Sequence, residues 1–278
     1  MSIIDLISNA IRPGIKKSQF LRNNNYSKKV FTPAYMLRAL LFFVACYVIF
    51  LGVTHFSWWL LIDYAGIEIK TLNSRYWPEF IAVFVLFFLP WLYLFCCWMA
   101  KKILPVNFSK LVLYMGCTFF GAMWYEIIID TLFVKLFGQP CWLYKIWPIH
   151  QGYTSGVGMF MWPMYGFFIY FMNNAIETNL KLANINNNFA KTYLFALDAM
   201  ALEILTNIFS ILQYHTFLFY YLPNDLMHFT TINVFIPYLF SCASGATASL
   251  FIEYIKKNHF VIGLIFYLAG VVSLLFLN

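Results

Sequence analysis

Long apolar runs separated by short polar loops fill the chain, and seven of them approach the roughly twenty mainly apolar residues that a bilayer crossing needs. They cover about 36–57, 79–100, 111–133, 157–173, 192–213, 233–254 and 260–277. The pattern predicts an all-α fold, a polytopic transmembrane helix bundle of about seven spans. It divides into a basic tail (1–34), two N-terminal spans (35–110), a helix pair (111–173), a polar Asn-rich linker (174–190), a second helix pair (191–254) and a C-terminal span (255–278).

Within this apolar background the charges become informative. Glu126 and Asp130 stand four residues apart on the outer half of the third span, and no Lys or Arg accompanies them there. Four residues advance a helix by a little over one turn, so both carboxylates share one face. Two like charges so close repel, and at least one carries a proton unless a cation sits between them. A carboxylate in hydrocarbon is expensive and marks a proton, ion or ligand site facing a bundle interior. The bland alternatives are a carboxyl bonded to a neighbouring helix for Glu126 and a solvated interfacial group for Asp130. In the fifth span Glu203 lies near the middle, with Asp198 before it and Asn207 four residues after it.

Lysine and arginine set the orientation. With the N-terminus inside, the inner segments hold Arg12, Lys16, Lys17, Arg22, Lys28, Lys29, Arg38, Lys101, Lys102, Lys110, Lys181, Lys191, Lys256 and Lys257, and the outer ones only Lys70, Arg75, Lys135 and Lys145. That asymmetry predicts a cytoplasmic N-terminus. Trp58, Trp59, Trp77, Trp142, Trp147 and Trp162 then fall at the outer boundary, where indole rings are favoured. The first long apolar run starts only near Tyr35, so the first span is expected to be retained as an anchor. The tail before it reads as a basic orienting segment or a short amphipathic surface helix.

Composition agrees: 62% hydrophobic, 22% aromatic and 10% charged residues, where a soluble domain carries about 25% charged. The formal charge of +7 therefore concerns topology, and no nucleic-acid motif accompanies it. Six cysteines, of which only Cys141 falls in a predicted outer loop, imply no disulfide framework. Four of the five histidines, His55, His150, His215 and His228, lie near the outer face with Asp225, but without the paired spacing of a metal site. No metal is predicted, and no motif points to a cofactor. Neither GxSxG, a P-loop nor a dinucleotide fingerprint is present.

A weak internal repeat links the two helix pairs. Glu126 and Asp130 match Glu203 and Asn207, Pro148 with His150 matches Pro223 with Asp225, and Pro163 then Tyr165 matches Pro237 then Tyr238. Both units would cross in the same sense, a parallel repeat about an axis along the membrane normal, as in several transporter folds. The run GYTSGVGMFMWPMYG (152–166) sets Thr154 and Ser155 at a predicted helix start, either as N-caps or as a seat for a polar or anionic group.

At this run the chain resembles a known family. Glu126 in one span, then GYTS at 152–155 and PMYG at 163–166, are similar to the small multispanning proteins grouped as ABC-transporter permeases of the CmpB-like type and the related transmembrane protein 229 family. The resemblance covers mainly residues 124–170 and implies a permease-like membrane protein, though no ATP-binding motif occurs here. A fainter likeness of architecture is to tandem three-span cyclase-like isoprenoid enzymes, whose membrane carboxylates act as acid and base.

Three functions follow as expectations. The first is a permease-like protein with a carboxylate site open to the outer face, moving or binding a small solute, cation or proton. Its site would comprise Glu126, Asp130, His150, Thr154, Ser155, Tyr165, Glu203, Asn207 and Asp225. The second is an intramembrane enzyme acting on a lipid or isoprenoid, with Glu126, Asp130 and Glu203 as acid and base. The third is a non-catalytic accessory membrane protein. The expected partners are the lipid bilayer, in a bacterial inner membrane, and a small-molecule, ion or lipid ligand, with no nucleic acid.

Overall fold

The computed structural model describes residues 32–70, 77–178, 188–242, 252 and 255–277. The basic tail as far as residue 31, residues 71–76 of the first outer loop, 179–187 of the linker and 243–251 of the sixth expected span lie outside the described residues. The described residues are 75% helical in seven helices. These are α1 (Pro33–Trp58, continued by a π-helical turn Trp59–Tyr64), α2 (Trp77–Ala100), α3 (Phe108–Phe137), α4 (Gly158–Thr178), α5 (Asn188–Tyr214), α6 (Ile232–Cys242, opening on a 3₁₀ turn) and α7 (His259–Leu277). Four of them, α1 with its π turn, α3, α5 from Thr192 and α7, are long and apolar enough to cross a membrane. The chain is thus consistent with an integral membrane protein, and the outward Leu, Ile, Phe and Trp side chains of α1, α2 and α7 form a lipid-compatible exterior.

Packing centres on α3. Its α7 contact runs through glycines: a Cβ on Gly116 would lie 2.0 Å from the Gly263 carbonyl oxygen, and one on Gly263 would lie 2.5 Å from the Val112 oxygen. Small residues let membrane helices touch backbone to backbone, which replaces the hydrophobic drive lost in lipid. On another side α4 presses Gly166 against α3, where a Cβ would meet Met115 Cα and Tyr114 O at 2.8 Å. That close approach accounts for the glycine of PMYG. Further packing sets α2 on α4 and α1 on α5.

At one end of the bundle the aromatic loops form two small sheets. β1 (Trp142–Tyr144) pairs antiparallel with β4 (Phe219–Tyr221) in the register Trp142↔Tyr221, Leu143↔Tyr220, Tyr144↔Phe219. β2 (Pro148–Ile149) pairs with β3 (Thr154–Ser155). The helix expected to open on Thr154 and Ser155 begins instead at Gly158, and the two hydroxyl residues are strand residues, both fully buried.

Candidate functional site

Each half of the chain builds the same carboxylate nest from local rules. In the first, Asn107 caps α3 by accepting from Lys110 N at 3.1 Å, which commits the chain to a helix carrying Glu126 and Asp130 on one face. The helix ends at Gly138, which at φ +76° closes a bond from its N–H to the Val134 carbonyl. Left-handed backbone at that position suits glycine. The reversal brings β1 back, so that the Tyr144 hydroxyl donates to Glu126 Oε1. The β2–β3 hairpin supplies Thr154, whose hydroxyl donates to Oε2 at 2.8 Å, and α4 supplies the Trp162 indole N–H, which donates to Oε2 at 3.3 Å.

The second half repeats this 77 residues later. α5 ends at Tyr214, and His215, at φ +57°, donates to the Ile211 carbonyl as Gly138 does to Val134. The Tyr221 hydroxyl donates to Glu203 Oε1 at 2.5 Å, Thr230 donates to Oε2 at 2.6 Å, and the Tyr238 hydroxyl also donates to Oε1. The β1–β4 ladder follows the same symmetry. Its middle pair, Leu143 with Tyr220, is itself 77 residues apart, so a local two-fold passes between them and exchanges the nests. Tyr144 stacks edge-on against Phe219 at 5.7 Å and Trp142 lies 6.0 Å from Tyr221. Glu126 and Glu203 share no hydrogen bond; each is held within its own half.

Asp130 and Asn207 hold these strands. Asp130 Oδ1 accepts from Cys141 N at 2.7 Å and Trp142 N at 3.4 Å, and Asn207 Oδ1 accepts from Leu218 N at 3.1 Å and Phe219 N at 3.4 Å. Asn207 Nδ2 also donates to the Phe219 and Phe229 carbonyls, both at 2.9 Å. Asp130 Oδ2, in the place of that Nδ2, is buried without a partner. Both residues are fully buried, so Asp130 is no solvated interfacial group.

The remaining sequence candidates separate. Ser155 accepts from Val157 N at 3.1 Å and donates to the Ile146 carbonyl at 2.7 Å, bonds that tie the turn before α4. Asp225 Oδ2 accepts from Ile232 N at 2.7 Å and thereby fixes the start of α6. His150 packs edge-on to Tyr153 at 5.6 Å, outside the nest. The Tyr165 hydroxyl makes no hydrogen bond to Glu126. Matched hydrogen bonds pair Trp162 with Tyr238, so pairing Pro163 and Tyr165 with Pro237 and Tyr238 is out of register. Tyr144, Trp162, Tyr221, Thr230 and Tyr238 are not among the site residues expected from sequence, although the sequence puts Trp162 at the outer boundary and Tyr238 in the repeat. Their spacing from the glutamates gives the signal: a tyrosine 18 residues after each and a threonine 28 or 27 after.

The strand phenols are protected donors. Burial first, and then the Glu126 carboxylate, push Tyr144 well above the usual phenol range; burial, Glu203 and Tyr238 do the same to Tyr221. Both therefore keep their protons and donate. Among the described residues no group of three or more His, Cys, Asp and Glu is arranged to hold a metal ion. Comparison with protein-family models, with curated proteins and with solved structures gives no significant match in any of the three.

Proposed function

We propose that this is a permease-like integral membrane protein that takes up and releases protons at two buried glutamates near its outer face. The observation that carries the reading is the donor set. Glu126 and Glu203 receive every described bond from neutral hydroxyl or indole groups, and among the described residues no Lys, Arg or His bonds either one. A buried carboxylate without a protein counter-charge must be balanced from outside, and the proton is the smallest balancing charge. The two-fold arrangement of the nests matches the repeat architecture of transporters, whose ligand sites lie between repeats. In this reading the chain makes seven spans, with its N-terminus in the cytoplasm of a bacterial cell and the β1–β4 ribbon at the outer face. The lysine and arginine distribution supports that orientation.

The test is proton flux into proteoliposomes under an imposed membrane potential, read by an internal pH dye. Wild type should exceed protein-free vesicles, and Glu203→Gln should return to their level. Unchanged flux in that variant would refute the reading, and a lipid precursor accumulating in cells that carry it would favour the enzyme instead.

A further inference from the structure

At the end of the bundle away from the nests, the link from α2 to α3 and the last turns of α4 border a small cavity. Its volume is about 250 Å³, and its lining includes Lys102, Asn107, Tyr170, Asn174 and Thr178. The link is pinned along its length. Lys101, left-handed at φ +55°, closes α2: its N–H donates to the Trp98 carbonyl at 3.1 Å, and Lys102 N donates to the Cys97 carbonyl at 3.2 Å. The Tyr93 hydroxyl donates to the Leu104 carbonyl at 3.0 Å, and Asn107 N donates to the Tyr170 hydroxyl at 2.9 Å. Tyr170 is only 4% exposed, and its own proton goes to no described residue. Lys102 Nζ, the Asn174 amide and the Thr178 hydroxyl likewise make no bond among the described residues. The cavity thus meets one cation and three further unspent donors, and none of the described residues lining it is a carboxylate.

We infer that this cavity seats the phosphate headgroup of an anionic phospholipid. The oxygens of a phosphate diester only accept, so they suit a lining of donors, and a lysine supplies the opposing point charge. Asn107 is the N-cap of α3, which brings the positive end of a 30-residue helix to the cavity wall. The volume falls below the roughly 300–1,000 Å³ of sites that enclose a drug-sized ligand, so the acyl chains stay outside. The neighbouring surface suits them. Ile103, Val106 and Phe108 are 83%, 55% and 65% exposed, and Phe108 stacks on Phe260 of α7 at 6.3 Å. Large apolar side chains so exposed beside a lysine belong at a bilayer boundary, where basic pockets between helices take lipid headgroups, and this favours a lipid over a phosphate free in water. Asn107 precedes Glu126 by 19 residues, about 28 Å along α3. The seat therefore lies across the hydrocarbon from the nests and, in the proposed orientation, in the inner leaflet.

The seat stands apart from proton exchange, and native mass spectrometry of the full chain in detergent, titrated with phosphatidylglycerol or phosphatidylcholine, tests it. Wild type should hold phosphatidylglycerol about tenfold more tightly than phosphatidylcholine, the worth of one charge-assisted hydrogen bond. Lys102→Gln should abolish that preference, and Thr178→Val should weaken phosphatidylglycerol binding several-fold. Thr178→Val keeps shape and charge, so it guards against both a folding artefact and a general attraction to basic surface. Lys101→Gln removes the same charge one residue away, outside the lining, and should bind as wild type does. Equal affinity for the two lipids, or phosphatidylglycerol held as tightly by both lining variants as by wild type, would overturn the inference. So would a loss in Lys101→Gln as large as in Lys102→Gln, which reports charge spread over the surface. Inorganic phosphate that displaces bound phosphatidylglycerol as readily as added phosphatidylglycerol does would assign the cavity to a soluble anion and overturn the lipid.

Discussion

Replacing Asn207 with leucine should be among the most damaging single changes outside the glutamates. The Asn207 amide makes four hydrogen bonds, to Leu218 N, Phe219 N, Phe219 O and Phe229 O, all inside the protein. A buried backbone group left without its partner costs about 1–3 kcal/mol. Four such losses, reduced because a carbonyl with a second lone pair keeps part of its bonding, come to roughly 4–6 kcal/mol. The leucine side chain recovers about 1–2 kcal/mol by apolar burial, leaving a net loss near 3–4 kcal/mol. Asp130→Asn is the matched opposite. It keeps the acceptor for Cys141 N and Trp142 N, and it puts an amide donor where Asp130 Oδ2 now lies unpartnered. By the repeat, that donor faces the carbonyls of Trp142 and Tyr153, so the variant should be neutral or more stable by about 1 kcal/mol. Reversible unfolding in bicelles, by detergent titration or steric trapping, measures both. Asn207→Leu within 1 kcal/mol of wild type, or Asp130→Asn as costly as Asn207→Leu, would refute the claim that one frame is built twice.

Two further outcomes follow from other parts of the molecule. Gly116→Val pushes side-chain atoms into the Gly263 backbone, 2.0 Å from where the first of them would sit, so α3 and α7 must part, with a loss of about 3 kcal/mol or more in the same unfolding assay; wild-type stability would show that the two helices do not meet there. Tyr144 and Tyr221 have folded-state pKa values raised above the ordinary 10.0, so their contribution is complete below pH 10 and is lost as the pH rises through the folded values. Above pH 10 stability should fall by about 1.4 kcal/mol per pH unit for each of these phenols. Tyr144→Phe should make the alkaline slope shallower, and a slope equal to wild type would remove that phenol from the account.

The helices were legible because lipid imposes length and apolarity on a span, and the expected bounds of the third and fifth fall inside Phe108–Phe137 and Asn188–Tyr214. The glutamates were legible for the same reason, since a carboxylate stands out in hydrocarbon. Their partners were not. In a chain with 22% aromatic residues, Tyr144 and Tyr221 look like any interfacial tyrosine. The strands that carry them are three residues long, too short for alternation to register, and they pair across 77 positions of sequence. The repeat was visible at Glu126 and Glu203. Anchoring it on prolines misplaced its far end, because the structural equivalence is carried by what reaches the carboxylate, Trp162 and Tyr238, and not by where a helix bends.

The claim that the buried glutamates exchange protons with the surrounding water is met most directly by infrared difference spectroscopy of the reconstituted protein between acid and alkaline media. The account predicts a protonated-carboxyl band that shifts in heavy water and is missing in Glu203→Gln. Identical difference spectra for wild type and Glu203→Gln would contradict it.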